Sequence, residues 1–175
     1  MQGGREYILQ FVSLGLGEHK YDFNVTDTFF DDFEYSEIKK GNVRVDLSLI
    51  KQSSMMALEF KIKGTVKVDC DLCTGEFDLP IEGTYKLIVK VGGDDARDED
   101  DDIITISANE HELDLKQYIF EYIILSVPIK RVHPDKKGKN SCDKEMLKKL
   151  KDYIVEESPE EVDPRWEGLK NIKLN

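Results

Sequence analysis

Three cysteines and one histidine are the residues of this chain whose types and spacing point to chemistry. Cys70 and Cys73 form a Cys-x-x-Cys pair in VDCDLCTGEFDLPI. Such a pair in a tight turn places two sulfurs on one side of the backbone, where a tetrahedral ion can take both. Gly75, just past the second cysteine, suits the positive φ that a knuckle of this kind often requires. A structural zinc needs four ligands, and the remaining candidates lie downstream, His133 and Cys142 in IKRVHPDKKGKNSCDKE. Cys70, Cys73, His133 and Cys142 together are the expected metal set. Two other readings use the same residues. Cysteine is often a small buried apolar side chain, and Cys-x-x-Cys also serves redox chemistry. The redox reading needs a strand–motif–helix unit, whereas this motif lies between strand-like runs.

Catalytic signatures are scarce. Cys142 with His133 is a nucleophile and base by type, but nothing supplies an orienting third group or oxyanion donors. The histidines are His19, His111 and His133. No Gly-rich phosphate loop precedes a helix, and no Gly-x-Ser-x-Gly elbow is present. The expectation is a protein that is not an enzyme and takes no small-molecule substrate.

Two further segments are candidates for contact with partners. PDKKGK at residues 134–139 carries Lys136, Lys137 and Lys139, and Lys144, Lys148, Lys149 and Lys151 follow it. This basic patch over residues 134–151 is the phosphate-contacting surface the chain would use. No aromatic residues interleave with it, so base stacking is not supported. Near the end, Asp163, Pro164, Arg165 and Trp166 open a short helical segment carrying the chain's one Trp. Trp166 is either a core residue or an anchor for a partner.

The elements that must position these residues follow from patterning. The chain has 175 residues, 25 Lys+Arg and 36 Asp+Glu, for a formal charge of −11, and 39% of its residues are hydrophobic. That supports a real core in one domain spanning 1–175 and excludes general disorder. The acidic balance repels a phosphate backbone and favours a basic protein partner over broad nucleic-acid binding. The longest apolar stretch, residues 118–128, is interrupted by Glu121 and is far too short to span a membrane. The first residues, MQGGREY, show no secretory pattern, and three cysteines do not make a disulfide framework, so a cytoplasmic location is expected.

The first half reads as strands over residues 6–12, 20–25, 42–50, 57–68 and 77–91. In 42–50, Val43, Val45, Leu47 and Leu49 alternate with Arg44, Asp46 and Ser48, the pattern of a half-buried antiparallel strand. Gly64 suggests a bulge or bend. Phe29, Phe30 and Phe33 suit a short helical turn capped by Thr26 or Asp27. Residues 92–102, GGDDARDEDDD, read as a flexible acidic loop, without the ordered ligand spacing of a calcium loop. A short strand is expected at 103–107. Asn109 with Glu112 then predicts a capping box opening a helix that Pro128 stops. A second helix from Ser141 or Asp143 runs to about Val155, and residues 156–175 form a helical tail. Strands first and helices last argue for an α+β fold, an antiparallel sheet or partial barrel with C-terminal helices packed against it.

Taken in order, VDCDLCTGEFDLPIEG, the acidic loop, ELDLKQYIFEYIILSVPIKRVHP and DPRWEGLKNI resemble the YceD-like family, also called large ribosomal RNA subunit accumulation proteins. The resemblance covers residues 45–172. It implies a cytoplasmic protein needed for accumulation or processing of large-subunit ribosomal RNA, with no established catalytic activity. Cys70 and Cys73 match the family's Cys-x-Arg-Cys turn, although Leu72 replaces the usual Arg. The family's Cys-rich stretch after the helix is reduced here to Cys142, with His133 near the place of the first of its cysteines. Asp163, Pro164, Arg165 and Trp166 match the closing motif. The combined expectation is a non-enzymatic ribosome-biogenesis factor acting through a ribosomal protein or assembly factor, with weak or indirect RNA contact. The alternatives are a direct RNA-binding protein using residues 134–151 and a thiol-based redox protein.

Overall fold

The structure, a computed structural model, describes residues 6–92, 102–134 and 142–153. Its centre is an open five-stranded sheet. In chain order the elements are β1 (Ile8–Leu9), β2 (Gly17–Val25), α1 (Asp27–Phe30), β3 (Gly41–Lys51), β4 (Met55–Asp69), β5 (Glu76–Val91), β6 (Ile103–Ile106), β7 (Leu113–Asp114), α2 (Lys116–Leu125) and α3 (Lys144–Tyr153). The sheet order is β2-β3-β4-β5-β6, and β1 pairs with β7 in a separate two-stranded ribbon. Neighbours β2 to β5 run antiparallel, while β6 lies parallel to β5, with Ile88 opposite Ile103. The fold class is α+β as expected, a mostly antiparallel sheet with helices packed on it, and among the described residues the edge strands β2 and β6 do not pair to close it.

Period-two alternation makes this sheet one-sided. Val43, Val45, Leu47 and Leu49 of β3 are buried, as are Leu58, Phe60 and Ile62 of β4 and Leu87 and Val89 of β5. The opposite face carries short-range ion pairs such as Arg44 with Asp46 and Lys61 with Glu59, open to solvent and worth little to stability. Onto the apolar face pack α1 and α2. Phe33 stacks on Phe120 at 3.8 Å between ring centres, and Tyr85 stacks on Tyr122 at 4.7 Å. Phe33, Phe120 and Tyr122 are buried, and full burial of a side chain of this size stabilises the fold by about 1.5–3 kcal/mol, which fixes α2 on the sheet. Among the described residues no helix is long and apolar enough to cross a membrane.

Two local expectations are corrected. Gly64 makes no bulge, because the pairing of β4 with β3 and β5 runs through it without a slip. A Cβ there would lie 2.3 Å from the Asn42 carbonyl oxygen and 2.6 Å from the Val43 Cα. Close backbone approach is what requires glycine at this position. The helix expected from Asn109 and Glu112 begins only at Lys116. A capping-box-like turn does form, two residues earlier, where the Ser107 N–H donates to the Glu110 carboxylate and the Asn109 N–H donates to Ser107 Oγ. It does not propagate, because Leu113 extends to pair with Leu9 and both are buried. Asp114 then accepts the Lys116 N–H at 2.8 Å and starts α2.

Candidate metal centre

The tip of the β4–β5 hairpin carries the Cys-x-x-Cys pair. The ladder ends at Asp69 opposite Glu76, beyond the point where β3 begins, so the tip overhangs its neighbour. Cys70 N–H donates to the Gly75 carbonyl at 3.0 Å and Thr74 N–H to the Cys70 carbonyl at 2.9 Å. These bonds curl residues 70–75 into a knuckle. Positive φ falls on Thr74, at 57°, and not on Gly75, correcting the expected assignment. Gly75 faces the cluster instead: a Cβ there would sit 3.6 Å from Cys73 Sγ and 3.8 Å from His133 Cε1.

The second pair of candidates arrives from beyond α2. The Asp71 N–H donates to the Arg131 carbonyl at 2.8 Å, and the Arg131 N–H donates back to the Asp71 carboxylate at 2.5 Å. The Arg131 guanidinium lies 3.5 Å from Asp71 and 3.0 Å from Glu37. This staple ties the chain two residues before His133 to the residue after Cys70. The His133 ring then stacks against Phe77 at 4.5 Å between centres. Cys142 follows just before α3, whose first turn is capped by Asp143 accepting the Glu145 N–H at 2.8 Å. Met146 and Leu147 of α3 pack on the cysteine cluster.

All four ligand atoms, from Cys70, Cys73, His133 and Cys142, lie within 4.8 Å of one another. Cys70 Sγ and Cys142 Sγ are 3.7 Å apart, and His133 Nδ1 is 3.5 Å from the sulfurs of both Cys73 and Cys142. No disulfide joins the three thiols, which are all buried, while His133 is half-buried. Burial works to raise the Cys70 thiol. The N–H groups of Leu72, Cys73 and His133, with the His133 ring, outweigh it and hold that thiol at about 6. Burial and the neighbouring thiols Cys70 and Cys73 push Cys142 up to about 11. One negative charge is therefore welcome in the cluster and a further one is resisted. A cation is the natural counter-charge for such a donor set, and the arrangement could hold a metal ion.

Lys136, Lys137 and Lys139 lie outside the described residues, as do Asp163, Pro164, Arg165 and Trp166. So do most of the acidic loop at 92–102 and all of the tail at 156–175. Asp71, Arg131 and Phe77 are the members of the site that sequence patterning passed over. Asp71 occupies a variable place inside the Cys-x-x-Cys turn, and no local signal links it to a residue sixty positions away.

No curated protein and no solved structure matches the chain. A family model does. It is described as "Large ribosomal RNA subunit accumulation protein YceD" and matches residues 58–173, about two thirds of the chain. The matched span opens inside β4 and includes the knuckle, α2, His133, Cys142 and α3. The hairpin tip and the post-helix segment that meet at the cysteine cluster thus lie within one matched stretch, and the chain belongs to the YceD family of large ribosomal RNA subunit accumulation proteins.

Proposed function

We propose that this protein is a non-enzymatic, cytoplasmic ribosome-biogenesis factor whose Cys70, Cys73, His133 and Cys142 hold a structural zinc. The observation that carries the functional part is the family match that runs from within β4 through the cluster, α2 and α3. The metal part rests on distances. Zinc with sulfur at about 2.3 Å and nitrogen at about 2.0–2.1 Å in a tetrahedron sets sulfur–sulfur edges of about 3.8 Å and sulfur–nitrogen edges of about 3.5 Å. The separations of 3.7 and 3.5 Å fit those edges. Four protein ligands close the coordination shell, the arrangement of a structural rather than a catalytic site. The ion supplies a crosslink between the hairpin tip and the segment leading into α3.

The charge of −11 favours a basic ribosomal protein or an assembly factor as the direct partner, with Lys136, Lys137, Lys139 and the Asp163, Pro164, Arg165, Trp166 motif as contact residues. Depletion of the protein in its own cells is expected to lower large-subunit relative to small-subunit ribosomal RNA, and the wild-type chain is expected to restore the ratio. An unchanged ratio on depletion would overturn the reading. A second reading draws on the exposed Lys144, Lys148, Lys149 and Lys151 of α3, which suit direct RNA contact. It requires affinity for ribosomal RNA that falls steeply with salt. The redox alternative is disfavoured because Cys70 and Cys73 are buried, whereas exchange needs an accessible thiolate.

The staple also makes a quantitative expectation. Asp71 is not a ligand, but it holds the backbone that delivers His133. Asp71→Ala is expected to weaken zinc binding roughly 10–100-fold, the usual cost of losing an outer-shell support. Competition against a chromophoric chelator measures this, and circular dichroism checks that the sheet is intact. Unaltered affinity would remove Asp71 and Arg131 from the account of the site.

A further inference from the structure

The two edges of the sheet differ. β6 ends one side with four residues, whereas β2 ends the other with nine, Gly17–Val25. The pairing of β2 with β3 runs through all of them without a slip, and β2 contains no proline, so it lacks the bulge or proline that blunts a natural edge. Which backbone groups this edge presents follows from the neighbouring ladder. The Gln52 N–H donates to the Met55 carbonyl at 2.8 Å and the Lys67 N–H to the Lys40 carbonyl at 2.9 Å, so the even-numbered residues of β3 bond β4. Hydrogen-bonded pairs alternate along an antiparallel ladder. The odd-numbered residues of β3 therefore bond β2, through His19, Tyr21 and Phe23. Glu18, Lys20, Asp22 and Asn24 are left with N–H and C=O groups turned outward. The Asn24 carbonyl accepts the Tyr7 hydroxyl at 3.4 Å, and among the described residues nothing else bonds these groups. On the core side of the same edge, Tyr21 and Phe23 are only half-buried.

The residues of β2 say what completes the edge. Among antiparallel registers that bring outward-turned residues opposite one another, the one centred on Tyr21 uses all nine residues of the strand. It sets Lys20 opposite Asp22 of a second copy, Asp22 opposite that copy's Lys20, and Glu18 opposite Asn24. No like charges meet. Moving the centre one residue either way sets Lys20 against Lys20 or Asp22 against Asp22, so the longest register is also the charge-complementary one. Within one chain, Asp22 faces Asp46 of β3, and Arg44, the cation diagonal to it, is bonded to Asp46 at 2.9 Å. Lys20 makes only an open ion pair with Glu18 of its own strand. A lysine on an exposed edge keeps unrelated strands away, but here its complement stands two residues further along the same strand. On the core side, the same register places Tyr21 against Tyr21 at the axis and His19 against Phe23, which covers the half-buried aromatic rim. We propose that β2 pairs with β2 of a second copy of this chain, antiparallel about a two-fold axis at Tyr21, so that two sheets become one. Each copy uses the same strand, so the assembly closes at a dimer.

The test uses the full 175-residue chain with zinc and a thiol reductant present. Sedimentation velocity over a dilution series of roughly 1 to 100 µM brackets a micromolar dissociation constant. At the upper end it is expected to show twice the 20.2 kDa of one chain. Lys20→Asp and Asp22→Lys each set like charges opposite one another at both symmetry-related positions. Each alone is expected to raise the dissociation constant about tenfold or more. Towards each other the two variants are complementary, so their equimolar mixture, with one isotope-labelled, is expected to recover wild-type affinity as a heterodimer seen by native mass spectrometry. That recovery also shows that both are folded. The two substitutions combined in one chain exchange the charges and are expected to dimerise as wild type does. Asp22→Pro removes an outward N–H and leaves the bonds to β3, and it is expected to weaken the dimer while circular dichroism shows the sheet intact. A monomer throughout the series overturns the inference. So does a dimer or larger assembly that these variants leave unchanged, a mixture that fails to recover, or a combined variant that fails to dimerise.

Discussion

Cys70→Ser is expected to abolish stoichiometric zinc binding and to lower the thermal unfolding midpoint by roughly 10 °C. The magnitude follows from linkage. An ion present at 1,000 times its dissociation constant stabilises the folded state by about 4 kcal/mol. In a domain of this size, 1 kcal/mol moves the midpoint by roughly 2–4 °C. The damage should be uneven. The sheet keeps its own buried core, whereas α3 buries no residue of its own, and its Met146 and Leu147 pack on the cysteine cluster. An isolated helix of that length is marginal in water. Amide exchange should therefore accelerate over α3 while β3 and β4 remain protected. A chelator should reproduce these effects in wild type and do nothing further to the variant. Equal midpoints for wild type and Cys70→Ser, with no zinc in either by elemental analysis, would end the metal proposal.

Gly64→Ala is expected to be as costly for a different reason, by about 3 kcal/mol or more. The added methyl would meet the Asn42 carbonyl at 2.3 Å and the Val43 Cα at 2.6 Å, and both atoms are backbone of the adjoining strand. No rotamer can relieve that clash, so β3 and β4 must separate. Gly83→Ala is the informative control. Its Cβ would meet Ser126 Oγ at 2.6 Å and the Tyr85 ring at 2.7 Å, which are side-chain atoms able to give way. A loss of about 1 kcal/mol is expected there. Urea denaturation of the two variants side by side measures the difference. Equal midpoints would show that the strand pair is not packed as closely as described. Because Gly64 acts through the sheet and Cys70 through the cluster, their effects should add, and a chelator should leave the Gly64→Ala deficit unchanged.

The strands were legible because their signal is local. Val43, Val45, Leu47 and Leu49 alternate with polar neighbours, and each step of the chain reports directly on which face it occupies. The same rule carried the pattern across Gly64 without revealing why glycine sits there, since the cause is the backbone of another strand. The start of α2 was misread for a related reason. The capping signal around residues 107–112 is real and makes a turn, but the pairing of Leu113 with Leu9 takes the chain away from helix. A propensity of a few tenths of a kcal/mol per residue loses to burial of two leucines.

The order of residues alone names the four side chains that the fold gathers, because the chain contains three cysteines and one of its histidines falls near the third, and residue type and number are properties of composition and spacing. It also carries the one-sided sheet, since side-chain alternation needs no knowledge of neighbours. Convergence of the donors is another matter. The fold brings His133 to the knuckle through Asp71 and Arg131, sixty positions apart. Contacts between distant segments depend on how strands and helices pack in space, and no local periodicity encodes them.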